Sequence, residues 1–191
     1  MTLSPAIILL CTAVLWSGDV PALELGAVLE ETAVSPPALV HFREERSNPL
    51  LKEPMILTGY FEYLGTGHFR KVVETPFDEE FQIKSGQIEF TRDGETHTLS
   101  LSKARPLQAM LSGIEAILAG NQDSIERNFN YELSGDTCAW SLQLEPLRRS
   151  IARHLAAIRV NGVKGSITSI LLTLEGDEWQ RIEILGEKAD Q

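Results

Sequence analysis

Cysteine is nearly absent: the chain has two, Cys11 and Cys138, and the first lies inside an apolar N-terminal run. If that run is a removed leader, one cysteine remains and no intramolecular disulfide can form. The fold must then rest on an ordinary core, which the rest of the chain is long enough to build in a single domain. Lipidation at Cys11 is not expected, because Leu9 and Leu10 precede it where a lipidated cysteine follows a small residue. Cys138, beside Ala139 and Trp140, reads as a buried small residue. Aromatic residues are scarce at 7%, too few to fill a closed, solid barrel of strands. Positive charge is also in deficit, with 17 basic against 27 acidic side chains and a formal net charge of −10. That balance argues against a nucleic-acid partner and against electrostatic residence on an anionic bilayer, and it suits a soluble shuttle. The N-terminal apolar run, Ala6 to Trp16, is well short of the roughly 20 residues that span a membrane. Followed by Val20, Pro21 and Ala22, it reads as a cleaved signal peptide over residues 1–22, with a mature start at Leu23, although no Lys or Arg precedes it.

Catalytic signatures are lacking too. There is no GxSxG elbow, no HExxH, no CxxC and no phosphate-binding loop. His41, His68, His97 and His154 fall on different predicted elements without metal-like spacing, so no metal, no cofactor and no catalytic residue is expected. His68 is the strongest catalytic candidate, beside a glycine turn and close to Arg70, but it would need carboxylates clustered with it. Glu44, Glu45, Asp78, Glu79 and Glu80 read as solvated charge runs.

What the chain does have is period-two patterning. In Leu57, Gly59, Phe61 and Tyr63 the apolar residues share one face of an extended segment, while Thr58, Tyr60 and Glu62 share the other. Gly65, Thr66 and Gly67 turn the chain into a second strand, His68 to Glu74, closed by Pro76. Two more short strands flank Ser85-Gly86 between Phe81 and Phe90, and Asp93-Gly94 joins Gln87–Arg92 to Glu95–Leu101 as a hairpin. Pro106 opens a helix in which Leu107, Met110, Leu111, Ile114, Ile117 and Leu118 recur at helical spacing up to Gly120. Shorter helices are expected at Leu23–Glu31 and Asp123–Asn128, with a third apolar stripe at Leu147, Ile151 and Leu155. The total is about ten antiparallel strands with a few helices, too many strands for a flat sheet. The fold class is mainly β with helices (α+β): a curled antiparallel sheet forming an incomplete half-barrel under a helical lid.

In order and spacing, these segments resemble the LolA-like carrier family. Gly59, Phe61, Phe69, Arg70 and Pro76 match its glycine, apolar strand, aromatic-Arg step and later proline. Leu39, Val40 and Phe42, ahead of Arg43–Arg46, look like its first strand, and Trp140, Leu142, Leu144 and Pro146 match W-x-L-x-L-x-P. Ile167, Ile170, Leu172, Leu174, Gly176 and the strand Trp179–Leu185 resemble its closing hairpin. Two departures stand out. Gly65 and Thr66 replace the Arg and Pro of the family's turn, the Arg being its latch between barrel and lid, and Lys71 replaces a usual Trp.

The resemblance implies the same half-barrel and a non-enzymatic carrier. It would hold an acylated molecule, the acyl chains of a lipoprotein or another lipid, and shuttle it through the periplasm towards the outer membrane. An inner-membrane donor and an outer-membrane acceptor would be its partners, and the protein would be a monomer. The expected lipid-binding face comprises Leu57, Phe61, Tyr63, Phe69, Phe90, Leu142, Leu144, Ile170 and Leu172, covered by Met110 and Leu111 of the helix. Arg70 either meets a headgroup at the rim or points outward to pair with Glu62 or Glu74. Two other readings stay open: an envelope interaction module whose apolar face is filled by its own side chains, and an accessory of lipid acyl transfer built on His68.

Overall fold

Alternating apolar residues make strands that need cover on one side only. In the computed structural model, which describes residues 23–186, they assemble into one antiparallel sheet of eleven strands. A helix, α1 (Leu25–Thr32), precedes six strands: β1 (Ala38–Ser47), β2 (Met55–Gly65), β3 (His68–Thr75), β4 (Glu79–Lys84), β5 (Gln87–Arg92) and β6 (Glu95–Ser100). Helices α2 (Arg105–Leu118) and α3 (Gln122–Asn128) lead to β7 (Phe129–Gly135) and β8 (Trp140–Pro146). A single turn, α4 (Arg149–Ala152), is followed by β9 (Leu155–Val163), β10 (Ser166–Leu174) and β11 (Trp179–Gly186). The order across the sheet is β6-β5-β4-β3-β2-β1-β11-β10-β9-β8-β7. The first strand thus pairs with the last, and β6 and β7 remain as free edges, so the sheet curls without closing.

The hairpins fall where the turn residues put them, and α2 begins beside Pro106 as helix-starting proline requires. The region after Pro146 differs from expectation. Leu147 is exposed, the helix lasts one turn, and Leu155 opens β9. Ile158, Val160 and Gly162 alternate inward along β9, a period of two that outweighs the four-residue spacing of Leu147, Ile151 and Leu155. Cys138 is exposed, not buried. It sits in the β7–β8 turn, where the Asp136 carboxylate accepts the backbone N–H groups of Cys138 and Ala139 at 2.7 and 3.0 Å and leaves the thiol facing out. The expected leader, residues 1–22, lies outside the described residues.

The core lies between the inner face of the sheet and α1, α2 and α3. Leu29, Ile117 and Ile125 from the helices pack with Phe42, Leu57, Leu142, Leu144, Ile158, Val160 and Leu172 from the strands. Gly113 sets how close α2 comes. A Cβ there would stand 3.2 Å from both Ile158 Cδ1 and Phe129 Cζ, so the helix rests its backbone almost directly on β7 and β9.

Candidate functional site

Sheet register decides which side chains share the inner face. Leu57 faces Glu44 across the β1–β2 pair, and Phe61 faces Val40. Moving outward, Phe61 opposes Lys71, Lys71 opposes Phe81, Phe81 opposes Phe90, and Phe90 opposes His97. Tyr63 opposes Phe69, their rings 5.0 Å apart. On the other side, Ile170 opposes Val160, which opposes Leu142, and Leu172 opposes Ile158, which opposes Leu144. The nine strand residues singled out from the sequence therefore lie on one face. Phe42, Phe81, Ile158 and Val160 belong to the same face. The chain-wide alternation could have supplied them.

The helices cover this face unevenly. Leu142, Leu144, Ile158, Val160 and Leu172 are fully buried beneath α1, α2 and α3. Across β2–β5, Phe61, Phe69, Phe81 and Phe90 stay half-buried. The helix contributes to the same asymmetry. Its fully buried positions are the small Gly113 and Ala116 with Ile117, whereas Leu107, Met110, Leu111 and Ile114 remain half-buried. Met110 and Ile114 touch the edge of the core. Because α2 docks through its small residues, its largest apolar side chains flank the contact. At the open end, a hollow of about 370 Å³ is lined by Phe90, Arg92, Asp93, Glu95 and His97. A second, of about 380 Å³, lies on the opposite, convex face and is polar, lined by Glu132, Ser134, Ser141, Gln143, Arg159 and Asn161.

Charge enters the inner face on β1 at Glu44 and Arg46, on β3 at Lys71, and on β4 and β5 at Glu79 and Arg92. Glu44 on β1 is completely buried and is held by the Lys71 ammonium and by Arg46 Nε at 3.0 Å. Reading Glu44 as part of a solvated run is thus corrected: strand alternation sends Arg43 and Glu45 outward and Glu44 in. Lys71 Nζ also sits over the rings of Phe42 and Phe61, 4.9 and 5.4 Å from their centroids. Burial pushes the Lys71 ammonium below its ordinary pKa, and the Glu44 carboxylate opposes that shift.

Arg70, one residue earlier, points to the convex face. Its guanidinium holds Glu80 through Nε at 2.7 Å and Nη2 at 3.0 Å, and Glu62 through Nη1 at 2.9 Å. Of the two places considered for it, the structure gives the outward one, with Glu80 in the position expected for Glu74. These bonds, those to Glu80 first, raise the Arg70 pKa and hold the Glu80 carboxyl below its ordinary range. His68 shares the convex face and meets the Gln82 amide at 3.1 Å. Glu62 and Glu80 on that face are paired with Arg70, and among the described residues no carboxylate is hydrogen-bonded to His68, so the inner-face cluster that the acyl-transfer reading requires is not present there.

The β2–β3 turn also meets the helix. The backbone N–H of Gly67 donates to the Glu115 carboxylate of α2. This contact joins sheet and lid in a chain that has Gly65 and Thr66 where the resembled family has its Arg and Pro.

Among curated proteins none matches the chain in sequence. Among solved structures it is similar to a LolA superfamily protein from Nitrosomonas europaea, at 11% identity and a TM-score of 0.46, over 89% of this chain and 95% of that one. It is also similar to LprF from Mycobacterium bovis, at 9% identity and a TM-score of 0.38, over 87% of this chain and 94% of the other. MucB in complex with MucA is a third, at 16% identity and a TM-score of 0.38, covering 85% of this chain and 54% of that one. In sequence, residues 17–190 match the family described as outer membrane lipoprotein carrier protein LolA-like. An open eleven-stranded half-barrel, helices laid on one face, and a family match that takes in every described residue lead to one assignment: the chain belongs to the LolA-like family of outer membrane lipoprotein carrier proteins.

Proposed function

We propose that the protein is a periplasmic, non-catalytic carrier that binds an acylated molecule on the half-covered inner face of its sheet and passes it towards the outer membrane. The observation that carries this reading is the uneven cover: Phe61, Phe69, Phe81 and Phe90 on the strands and Met110, Leu111 and Ile114 on the lid remain half-buried beside a sealed core. An acyl chain laid over them gains roughly 0.8 kcal/mol for each methylene taken from water, enough for binding that can be reversed. Sealing the same surface with protein side chains would leave no room for cargo. Leu142, Leu144, Ile170 and Leu172, already buried, then serve as the wall behind the cargo, with Leu57 and Tyr63 at its side.

The test uses the mature chain and an acyl-bearing probe, a single-chain lipopeptide, followed by native mass spectrometry. Phe61→Glu and Phe90→Glu should abolish the adduct, while the outward Tyr60→Glu, on the opposite face of the same strand, should keep it. An unmodified protein that takes up neither lipopeptide nor fatty acid would sink the carrier reading in favour of an envelope interaction module.

A further inference from the structure

The two ends of the sheet are not alike. Strands β5 and β8 each lie four antiparallel steps from β1 and therefore run in its direction, so the connections that follow β1, β5 and β8 share one end. That end holds the β1–β2 loop, the β8–β9 connection with α4, and the hollow beside Phe90. Two leucines protrude there. Leu50, in the β1–β2 loop, is 93% exposed, more than any other large apolar side chain among the described residues, and Leu147, just after β8, is 47% exposed. Basic residues accompany both: Lys52 close to Leu50, and Arg148, Arg149 and Arg153 close to Leu147. All four are exposed, and none forms an ion pair among the described residues. We infer that this end of the sheet docks on a phospholipid bilayer, with Leu50 and Leu147 entering the headgroup layer and the arginines meeting lipid phosphates.

This inference rests on the carrier reading and adds the surface through which cargo is collected or delivered. Both leucines are held in place by the backbone. The Asn48 side-chain oxygen accepts the Leu50 N–H at 2.9 Å and the Asn48 carbonyl accepts that of Leu51 at 3.0 Å, while the Leu147 N–H donates to the Asn128 carbonyl at 3.0 Å. In α4, Ile151 packs against the core, and helical spacing sends Arg149 and Arg153 together to the opposite, exposed side. The two protrusions stand about 20 Å apart along the sheet, four strand spacings. A fluid headgroup layer needs no complementary shape to meet both: it takes a lone leucine into its acyl boundary and offers phosphates to guanidinium forks. The same end also carries Glu53, Asp78, Asp93, Glu175, Asp177 and Glu178, on a chain of formal net charge −10, so the contact is brief, as a shuttle requires. The hollow lined by Phe90 and Arg92 opens at this end as well, which turns the exit of the half-buried aromatic row towards the bilayer.

Flotation of the mature protein with vesicles of phosphatidylethanolamine and phosphatidylglycerol, at low and at high salt, tests this. The parent should bind, more tightly at low salt. Leu50→Glu and Leu147→Glu should each weaken binding at least about tenfold, the loss expected when one leucine no longer leaves water. The double variant Arg148→Gln/Arg149→Gln should weaken it at least about fivefold at low salt and flatten the salt dependence. Val163→Glu is the control: this residue has the same 47% exposure as Leu147 but lies at the opposite end of the sheet, and the variant should bind as the parent does. Phe61→Glu, directed at the cargo face, should lose lipopeptide and keep vesicle binding, which separates the two readings. A protein that takes up lipopeptide but does not float with vesicles would overturn the docking surface and leave the carrier reading intact. Undiminished binding by both leucine variants, or an equal loss on Val163→Glu, would overturn the assignment to this end.

Discussion

At the residue scale the decisive feature is Glu44. A fully buried carboxylate is tolerable only while cations answer it, and here Lys71 and Arg46 do. Lys71→Met leaves Arg46 alone with it, and Glu44→Leu leaves two cations against an apolar wall. Glu44→Leu should destabilise the protein by about 3 kcal/mol or more, and the double variant Glu44→Leu/Lys71→Met should recover most of that loss. Urea unfolding of the four proteins checks it; additive losses would mean that the pair is not coupled. Arg70 gives a pH-dependent contrast on the other face. Its hydrogen bonds lower the Glu80 pKa in the folded state, so the stabilisation is present above the ordinary carboxylate range and is lost as pH falls through the lowered folded value. Acidification from about pH 6 to about pH 3 should therefore cost the parent more stability than Arg70→Gln, by under about 1 kcal/mol given how open Glu80 is. Parallel pH profiles of the two proteins would contradict this.

At the element scale, α2 is positioned by what it lacks. With no side chain at Gly113, the helix settles onto Ile158 and Phe129, and Gly113→Val has to lift it. Such overpacking should cost about 1–3 kcal/mol in urea unfolding. Glu115 is the second anchor, through the Gly67 N–H. Glu115→Ala should speed hydrogen exchange in the β2–β3 turn and along α2 while β8–β10 stay protected, and unchanged exchange in the turn would show that the contact does not hold the lid. Much of this was legible in the sequence: the Asp93-Gly94 and Ser85-Gly86 turns placed β4, β5 and β6, and Pro106 placed the start of α2. The packing side of α2 was not, because counting large apolar residues points to Leu107, Met110 and Leu111, while contact distance favours Gly113 and Ala116. Glu44 escaped for a related reason. Its flanking charges look like one solvated run until strand period is applied residue by residue. Lys71 was visible only as a departure from a familiar pattern, and its partner, 27 positions earlier, is fixed by sheet register alone.

At the scale of the whole molecule, the sheet is divided into unequal halves by its own connectivity. Pairing the first strand with the last puts β7–β11 and β1 under α1, α2 and α3, where the buried core is continuous. In the hairpins of β3–β6, Val73, Ile83 and Ile88 are buried but Phe69, Phe81 and Phe90 are only half-buried, and the edge strand β6 has Glu95 to Leu99 all exposed. Fewer buried contacts lower the free energy of local opening, so β4–β6 should exchange amide hydrogens faster than β8–β10 in the free protein. On the proposed carrier reading, cargo seated on Phe61, Phe81 and Phe90 adds apolar contact where these side chains are only half-buried. Saturation with an acyl ligand should therefore protect β3–β6 and the Met110–Ile114 stretch of α2, with little change in β8–β10. A ligand held at 100 times its dissociation constant would also add about 2.7 kcal/mol to global stability. Hydrogen exchange by mass spectrometry, with and without palmitate, reads both effects. Protection confined to β8–β10, or to the polar hollow around Gln143 and Arg159 on the convex face, would place the cargo on the wrong side of the sheet and require a different account of why this half-barrel stays open.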